Sequence, residues 1–261
     1  MSIYAIVQEK GGSGKSPTAM HLGYALSYLG EDTLIVDFDP QATASQHGQG
    51  FDYAQTEPTV YNSLVALKPI EPFKLQEHLY LLPAHSELEK AEIELPKPGA
   101  FYQVQLQKML KLYSQFKHIV IDTPGSRISI FTTLALTAAN VVIIPTKCEI
   151  SHYHATIDTL SLIEDVREGL NPNLSVWGIL PTQYEGTAHH REILEMLKQL
   201  RDPNGNLYPI YDEPSRKTTK YNDATSMRLD VRSLDETGKL GLYWDRVAAS
   251  ILAGKIVLDV V

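Results

Sequence analysis

Short apolar runs of strand length alternate along this chain with longer stretches in which apolar residues recur every three or four positions. The runs lie at residues 3–7, 33–38, 79–84, 118–121, 141–145 and 174–180. Most are near-continuous in Val, Ile, Leu and Ala, the pattern of strands buried on both faces. Helical spacing follows the first run, with Ala19, Leu22, Gly23, Ala25, Leu26 and Leu29 on one side. It returns at 100–115 (Val104, Leu106, Met109, Leu110, Tyr113), at 128–139, at 151–166 (Tyr153, Ile157, Leu160, Ile163), from His189 to Leu200, and at 239–254. A charged helix is expected at 86–95, with Leu88, Ala91 and Leu95 sharing a side. A short helix near 60–67 and a short strand at 207–210 complete the pattern, and the rest of 42–75 reads as loop. Strands alternating with helices predict an α/β fold: a mostly parallel twisted sheet with helices on both faces.

Composition narrows this picture. No low-complexity linker or repeat interrupts the 261 residues, so 1–261 is expected to form a single domain. A hydrophobic share of 43% belongs to soluble globular chains rather than disordered ones. The one cysteine, Cys148, rules out an intrachain disulfide and fits a cytoplasmic location. Residues 1–8 lack the regions of a secretory signal. No apolar stretch approaches the ~20 residues of a membrane helix. The chain ends on one Lys, one Asp and a β-branched run, a poor amphipathic anchor, so no stable membrane insertion is expected. A formal charge of −8 excludes a wholly basic nucleic-acid surface but leaves room for a local patch. The densest basic run is Arg216-Lys217-Thr218-Thr219-Lys220-Tyr221, with Arg228 and Arg232 close behind and Arg191 upstream. Such residues reach phosphates without reading bases, which gives salt-sensitive, sequence-blind DNA binding. A solvated face salted with Glu213, Asp223 and Asp230 is the alternative.

The chemistry concentrates at strand ends. Between the first run and the first helix stands Glu9-Lys10-Gly11-Gly12-Ser13-Gly14-Lys15-Ser16. Strand, glycine-rich turn and Gly-Lys-Ser opening a helix is the P-loop arrangement. The glycines let several N–H groups point into one concavity, and the helix N-terminus adds partial positive charge there. Lys15 would reach the β- and γ-phosphates, and the Ser16 hydroxyl would bind Mg²⁺. The second run ends in Asp37-Phe38-Asp39-Pro40-Gln41. Acids at the carboxyl end of such a strand suit Mg²⁺ or the attacking water. Residues 118–125 end in Asp122-Thr123-Pro124-Gly125, Walker B form, with Asp122 delivered beside the P-loop to hold Mg²⁺. Lys147, past the fifth run, faces nucleotide or partner, or is a solvated lysine. His152 and His154 do not share a helix face and are not a metal pair. His189 and His190 lack further ligands at suitable spacing.

Lys10-Gly11-Gly12-Ser13-Gly14-Lys15-Ser16 resembles the deviant Walker A motif, KGGxGK[ST], of the ParA/MinD family of ATPases. Glu9 stands where the generic motif has its first glycine. Asp37-Phe38-Asp39-Pro40-Gln41 resembles the family's D-x-D-P-Q segment, and the 79–84 run followed by an acidic helix also has a family counterpart. The resemblance implies a P-loop NTPase fold with ATP and Mg²⁺ as cofactors. It implies that Lys10 crosses to the nucleotide of a second subunit, that Asp39 positions the hydrolytic water, and that Asp37 sits nearer the metal. The backbone of Gly11, Gly12, Ser13, Gly14, Lys15, Ser16 and Pro17 would bind phosphates. Thr182 and Gln183, at the end of the 174–180 strand, would lie on the adenine side, and the loop at Arg127 would sense the γ-phosphate.

By the same resemblance the protein dimerises on ATP, binds DNA non-specifically, and positions or partitions a plasmid, a chromosome or a protein body such as a carboxysome. An adaptor, ParB-like or tied to the cargo, would stimulate a weak ATPase. A MinD-like membrane-associated ATPase is the alternative, and an inactive relative using nucleotide as glue is another. One cysteine cannot supply the cluster ligands of the iron–sulfur reductase relatives. Two departures stand out. Gly125 replaces a family proline. Pro17 replaces a second hydroxyl residue and removes an N–H from the phosphate site, so weaker nucleotide affinity than the family norm is expected.

Overall fold

In the computed structural model the described residues are 1–49, 58–97, 101–126 and 129–254. The strands are β1 (Ser2–Ile6), β2 (Thr33–Asp37), β3 (Phe73–Gln76), β4 (Leu79–Leu82), β5 (His118–Asp122), β6 (Val141–Lys147) and β7 (Ser175–Thr182). They form one sheet in the order β3-β4-β2-β5-β1-β6-β7. Every pair is parallel except β3 with β4.

The helices are α1 (Lys15–Ser27), α2 (Thr43–Gln49), α3 (Val60–Ala66), α4 (Lys90–Glu94), α5 (Gln105–Leu110), α6 (Ile130–Ala138), α7 (Ile150–Gly169), α8 (Ala188–Leu197), α9 (Lys220–Met227) and α10 (Lys239–Leu252). They cover both sheet faces. Ala5, Leu34, Val36, Ile119, Ile121, Val142 and Ile144 point into one core with residues of α5, α6, α7 and α8. Tyr4, Ile6, Val120 and Ile143 point the other way, onto α1, α9 and α10. Both faces are dry, so the central strands read as unbroken apolar runs rather than alternating ones. Each fully buried Ile or Val contributes about 1.5–3 kcal/mol, and this central block anchors the loops at the strand ends.

Several expectations are corrected. Residues 207–210 form no strand: Leu207 and Ile210 make only isolated bridges, to Arg201 and Ile179. The 86–95 helix is a 3-10 turn (Ser86–Glu89) followed by the short α4. The 100–115 helix is α5 between two 3-10 turns, and residue 100 lies outside the described residues. The supposed loop 42–75 contains α2 and β3. The basic run continues into α9. No helix among the described residues is long and apolar enough to cross a membrane. The 255–261 tail lies outside them.

Register places the chemistry. Asp37 pairs with Asp122 across β2 and β5, Ile6 pairs with Asp122 across β1 and β5, and Lys147 pairs with Thr182 across β6 and β7. The carboxyl ends of five adjacent strands therefore meet along one edge, with the turn after β1 in the middle.

Candidate active site

The turn after β1 is shaped by its glycines. Gly12 (φ 75°) and Gly14 (φ 96°) are left-handed, which residues with a Cβ adopt only with strain. Helix α1 starts at Lys15, and its first internal bond is Thr18 N–H to the Gly14 carbonyl at 2.9 Å. The N–H groups of Lys15 and Ser16 precede that bond and have no place in the helical ladder, and Pro17 offers none. They open on a cavity of about 830 Å³ lined by Gly11 to Pro17 (without Ser13), Asp39 to Gln41, Thr43, part of α4, Pro124 to Ser126, Ser129 and Gln183.

Other elements hold this loop. Thr182 Oγ1 donates to the Ser13 carbonyl at 2.7 Å, and Gln183 Nε2 donates to the Gly12 carbonyl at 3.1 Å. From α7, Thr159 Oγ1 accepts from the Glu9 N–H at 3.1 Å and donates to Gln8 Oε1 at 3.0 Å. Thr123 Oγ1 donates to the Ile6 carbonyl at 2.7 Å. The pair expected on the adenine side also braces the loop. Thr182 is buried and braces the loop, while Gln183, itself left-handed at φ 53°, both braces the loop and lines the cavity.

Lys15 is buried and its Nζ donates to the Lys10 carbonyl at 3.3 Å. Burial lowers its pKa, and the nearby Asp122 and Asp39 carboxylates pull the other way. Asp122 is wholly buried, and neither of its oxygens has a hydrogen-bond partner. Burial raises its pKa well above the usual carboxylate range and Asp37 adds to this. Ser16 and Lys15 are near enough to oppose the shift. A buried carboxyl group left in this state costs free energy unless a cation or donor completes it. A divalent ion between Asp122 and the Ser16 hydroxyl fits the donor set.

Asp37, expected nearer the metal, is engaged by protein groups. Its Oδ2 accepts from the Ser45 N–H and from Ser45 Oγ, both at 2.7 Å, and its Oδ1 accepts from the Asp39 N–H at 3.2 Å. Burial pushes its carboxyl up to about 7 despite these bonds. It ties α2 to the end of β2 and thereby sets the course of 38–42. On that course Asp39 lines the cavity, accepting from the Gln41 N–H at 2.9 Å, with its pKa raised by burial. Gly125 presses on the loop so closely that an added Cβ would lie 2.9 Å from Gly11 Cα and from Lys15 Nζ. With Gly11 backbone on the other side of that contact, a side chain at this position has no room unless the loop shifts. Arg127 lies outside the described residues.

The candidate DNA residues form two groups. Arg191 donates to the Gly186 carbonyl at 3.1 Å, Arg216 stacks over Tyr184 at 5.9 Å, and Lys217 pairs with Glu185 at 3.3 Å, all around the 184–187 loop. Lys220 starts α9 and is held by Asp235 at 2.8 Å, while Arg228 closes α9 in a left-handed cap and is exposed. Arg191, Arg216 and Arg228 therefore present guanidinium groups that no carboxylate takes among the described residues, whereas Lys217 and Lys220 are already paired. Sequence reasoning missed Ser45 and the three threonines at 123, 156 and 159, whose short polar side chains carry no signal outside the fold.

A family model described as an AAA domain matches residues 1–176. The chain is 36% identical over 206 residues to the sporulation initiation inhibitor protein Soj of Bacillus subtilis, covering 77% of this chain and 80% of that protein. It is 29% identical over 231 residues to the chromosome partitioning protein ParA of Caulobacter vibrioides, covering 87% and 84%. Among solved structures, cobyrinic acid a,c-diamide synthase from Mycobacterium smegmatis, with bound ADP and magnesium, superposes with a TM-score of 0.79 at 27% identity over 100% of this chain and 99% of that one. An ATP complex of a Cyanothece McdA variant shares the fold with a TM-score of 0.84 at 22% identity, covering 99% of each chain. With a lysine ahead of its paired glycines, acids at the ends of β2 and β5, and these relatives, the chain belongs to the ParA/MinD family of deviant Walker A P-loop ATPases.

Proposed function

We propose that this chain is a partition-type ATPase that closes as a homodimer on ATP, binds DNA without sequence preference, and positions or partitions a cargo with the help of an adaptor that stimulates weak hydrolysis. The observation that carries the reading is Asp122, buried with both oxygens unpaired, beside Lys15 and Ser16 at the foot of a glycine cradle. That arrangement serves a nucleoside triphosphate with Mg²⁺ better than any other ligand class. The backbone of residues 11–16 and the Lys15 ammonium take the phosphates. Ser16 and Asp122 hold Mg²⁺, which when bound neutralises phosphate charge. Asp37 fixes the segment that carries Asp39, and Asp39 orients water at the γ-phosphate. Lys10 lies outside the cavity of its own subunit, consistent with a role on the partner's nucleotide.

Relatives named for chromosome partitioning support a plasmid or chromosome as cargo, and a protein body such as a carboxysome is the other cargo the family resemblance implies. Arg191, Arg216, Lys217, Lys220 and Arg228 are the DNA-facing set, acting from a nucleoid-associated, cytoplasmic protein. A gel shift on arbitrary duplex DNA with ATP, ADP and no nucleotide tests the reading: retardation only with ATP is expected. ATP-dependent pelleting with anionic liposomes, without DNA binding, would replace it by a MinD-like function. Asp39→Ala is expected to keep ATP binding and lose about 10²–10⁴-fold in hydrolysis. Undiminished turnover would remove Asp39 from the mechanism.

A further inference from the structure

Lys147 ends β6 one strand away from the P-loop, and its ammonium group stands over the loop's outer edge. A methyl group built on Gly12 would lie 3.7 Å from Lys147 Nζ. Gly11 and Gly12 are exposed along that edge. Lys15 lines the nucleotide cavity, but neither Lys147 nor Lys10 does. Both lie close enough to the buried His152 to disfavour its protonation. The acid on this turn, Glu149, is directed elsewhere: its Oε2 lies 3.3 Å from His152 Nδ1. Among the described residues neither Lys10 nor Lys147 is in an ion pair.

The backbone under these lysines is held stiffly. Thr182, Gln183, Thr156 and Thr159 bond the loop or its lead-in from the β7 and α7 side. Lys147 therefore projects from a fixed platform, and its reach is that of its own side chain.

We propose that Lys147 is a second lysine acting across the subunit interface, contacting phosphate oxygens of the partner's nucleotide beside Lys10. This rests on the ATP-closed dimer proposed above. Two copies meeting at the Gly11–Gly12 edge bring Lys10 and Lys147 of each copy together. Without phosphate between them these like charges repel, and the repulsion grows as water leaves the interface. A bound triphosphate turns the same four ammonium groups into ligands, and its γ-phosphate carries the charge that a diphosphate lacks. Closure is thus made conditional on the triphosphate by charge, in addition to any shape change.

The test uses the full chain as wild type, Lys147→Ala and Lys147→Arg, with Mg²⁺ and a non-hydrolysable ATP analogue. Sedimentation velocity reads the dimer dissociation constant, and a fluorescent analogue at protein concentrations below dimerisation reads monomer affinity. The expected result is a dimer about tenfold weaker or worse for Lys147→Ala, largely restored by Lys147→Arg, with monomer affinity unchanged within about twofold. The wild-type dimer should also weaken with added salt more steeply than the Lys147→Ala dimer. Dimerisation equal to wild type would overturn the proposal and leave the ATP-closed dimer standing. A parallel fall in monomer affinity would overturn it too, by showing that Lys147 serves its own subunit's loop. A wild type that stays monomeric with the analogue would remove the dimer and this inference together.

Discussion

Replacing Thr182 by valine separates two roles that the sequence leaves merged. The side chain is nearly isosteric and buried, and its hydroxyl donates to the Ser13 carbonyl at 2.7 Å. Valine removes the donor and puts a methyl group where the hydroxyl was. A methyl carbon approaches a carbonyl oxygen no closer than about 3.3 Å, so the loop at Ser13 must move by about half an ångström. The orphaned carbonyl costs about 1–3 kcal/mol, which is about 5- to 150-fold in an equilibrium constant. Because the displaced atoms belong to the phosphate cradle, the penalty falls on phosphate binding. Titration with ATP, ADP and base-free tripolyphosphate is the assay. All three are expected to weaken by similar factors, with Thr182→Ser recovering most of the loss. Weakened ATP with unchanged tripolyphosphate would show that Thr182 acts on adenine, and unchanged affinity for all three would show that the bond does not shape the loop.

Pro17→Thr restores an N–H and a hydroxyl at the start of α1. ATP affinity by calorimetry should rise about 10-fold or more, one hydrogen bond to a charged group at about 1.5–3 kcal/mol, and no gain would mean the site already binds without that contact. His47, on α2, is buried against the end of α9, with Nε2 2.9 Å from the Leu229 carbonyl, and burial, reinforced by His21, lowers its pKa to about 4. A depressed histidine stays neutral in the folded chain while the unfolded chain takes up a proton below about 6.5, so stability is full above that pH and falls as the pH drops toward 4. At about 1.4 kcal/mol per pH unit, His47 alone should take about 2 kcal/mol from the fold at about pH 5. Urea midpoints at about pH 7.5 and about pH 5 check this, and equal midpoints would contradict it.

The parts legible in the sequence share a physical reason. β2 and β5 are buried on both faces, so their apolar runs end abruptly in Asp37 and Asp122, and the acids mark where the strands stop. The P-loop is legible because glycine, lysine and serine each answer a geometric need there. α2 was not legible: Thr-Ala-Ser-Gln-His-Gly-Gln has little helical preference, and Asp37 on Ser45 and Leu229 on His47 hold it from elsewhere in the chain. α9 buries only Ala224 along its length, which leaves no periodic stripe to read. The bracing role of Asp37 was hidden for a similar reason. A carboxylate beside a phosphate site reads from sequence as a metal-side acid, and only the fold shows its oxygens accepting from Ser45 and Asp39 as well.

The proposed function requires two copies to close around ATP with Lys10 reaching across. Sedimentation velocity of the wild type and of Lys10→Ala, with Mg²⁺ and ATP analogue, ADP or no nucleotide, measures this directly. The expected pattern is a dimer for the wild type with the triphosphate alone and a monomer for Lys10→Ala in every condition, with analogue affinity retained. A wild type that dimerises equally with ADP, or a Lys10→Ala chain that dimerises as well as the wild type, would contradict it.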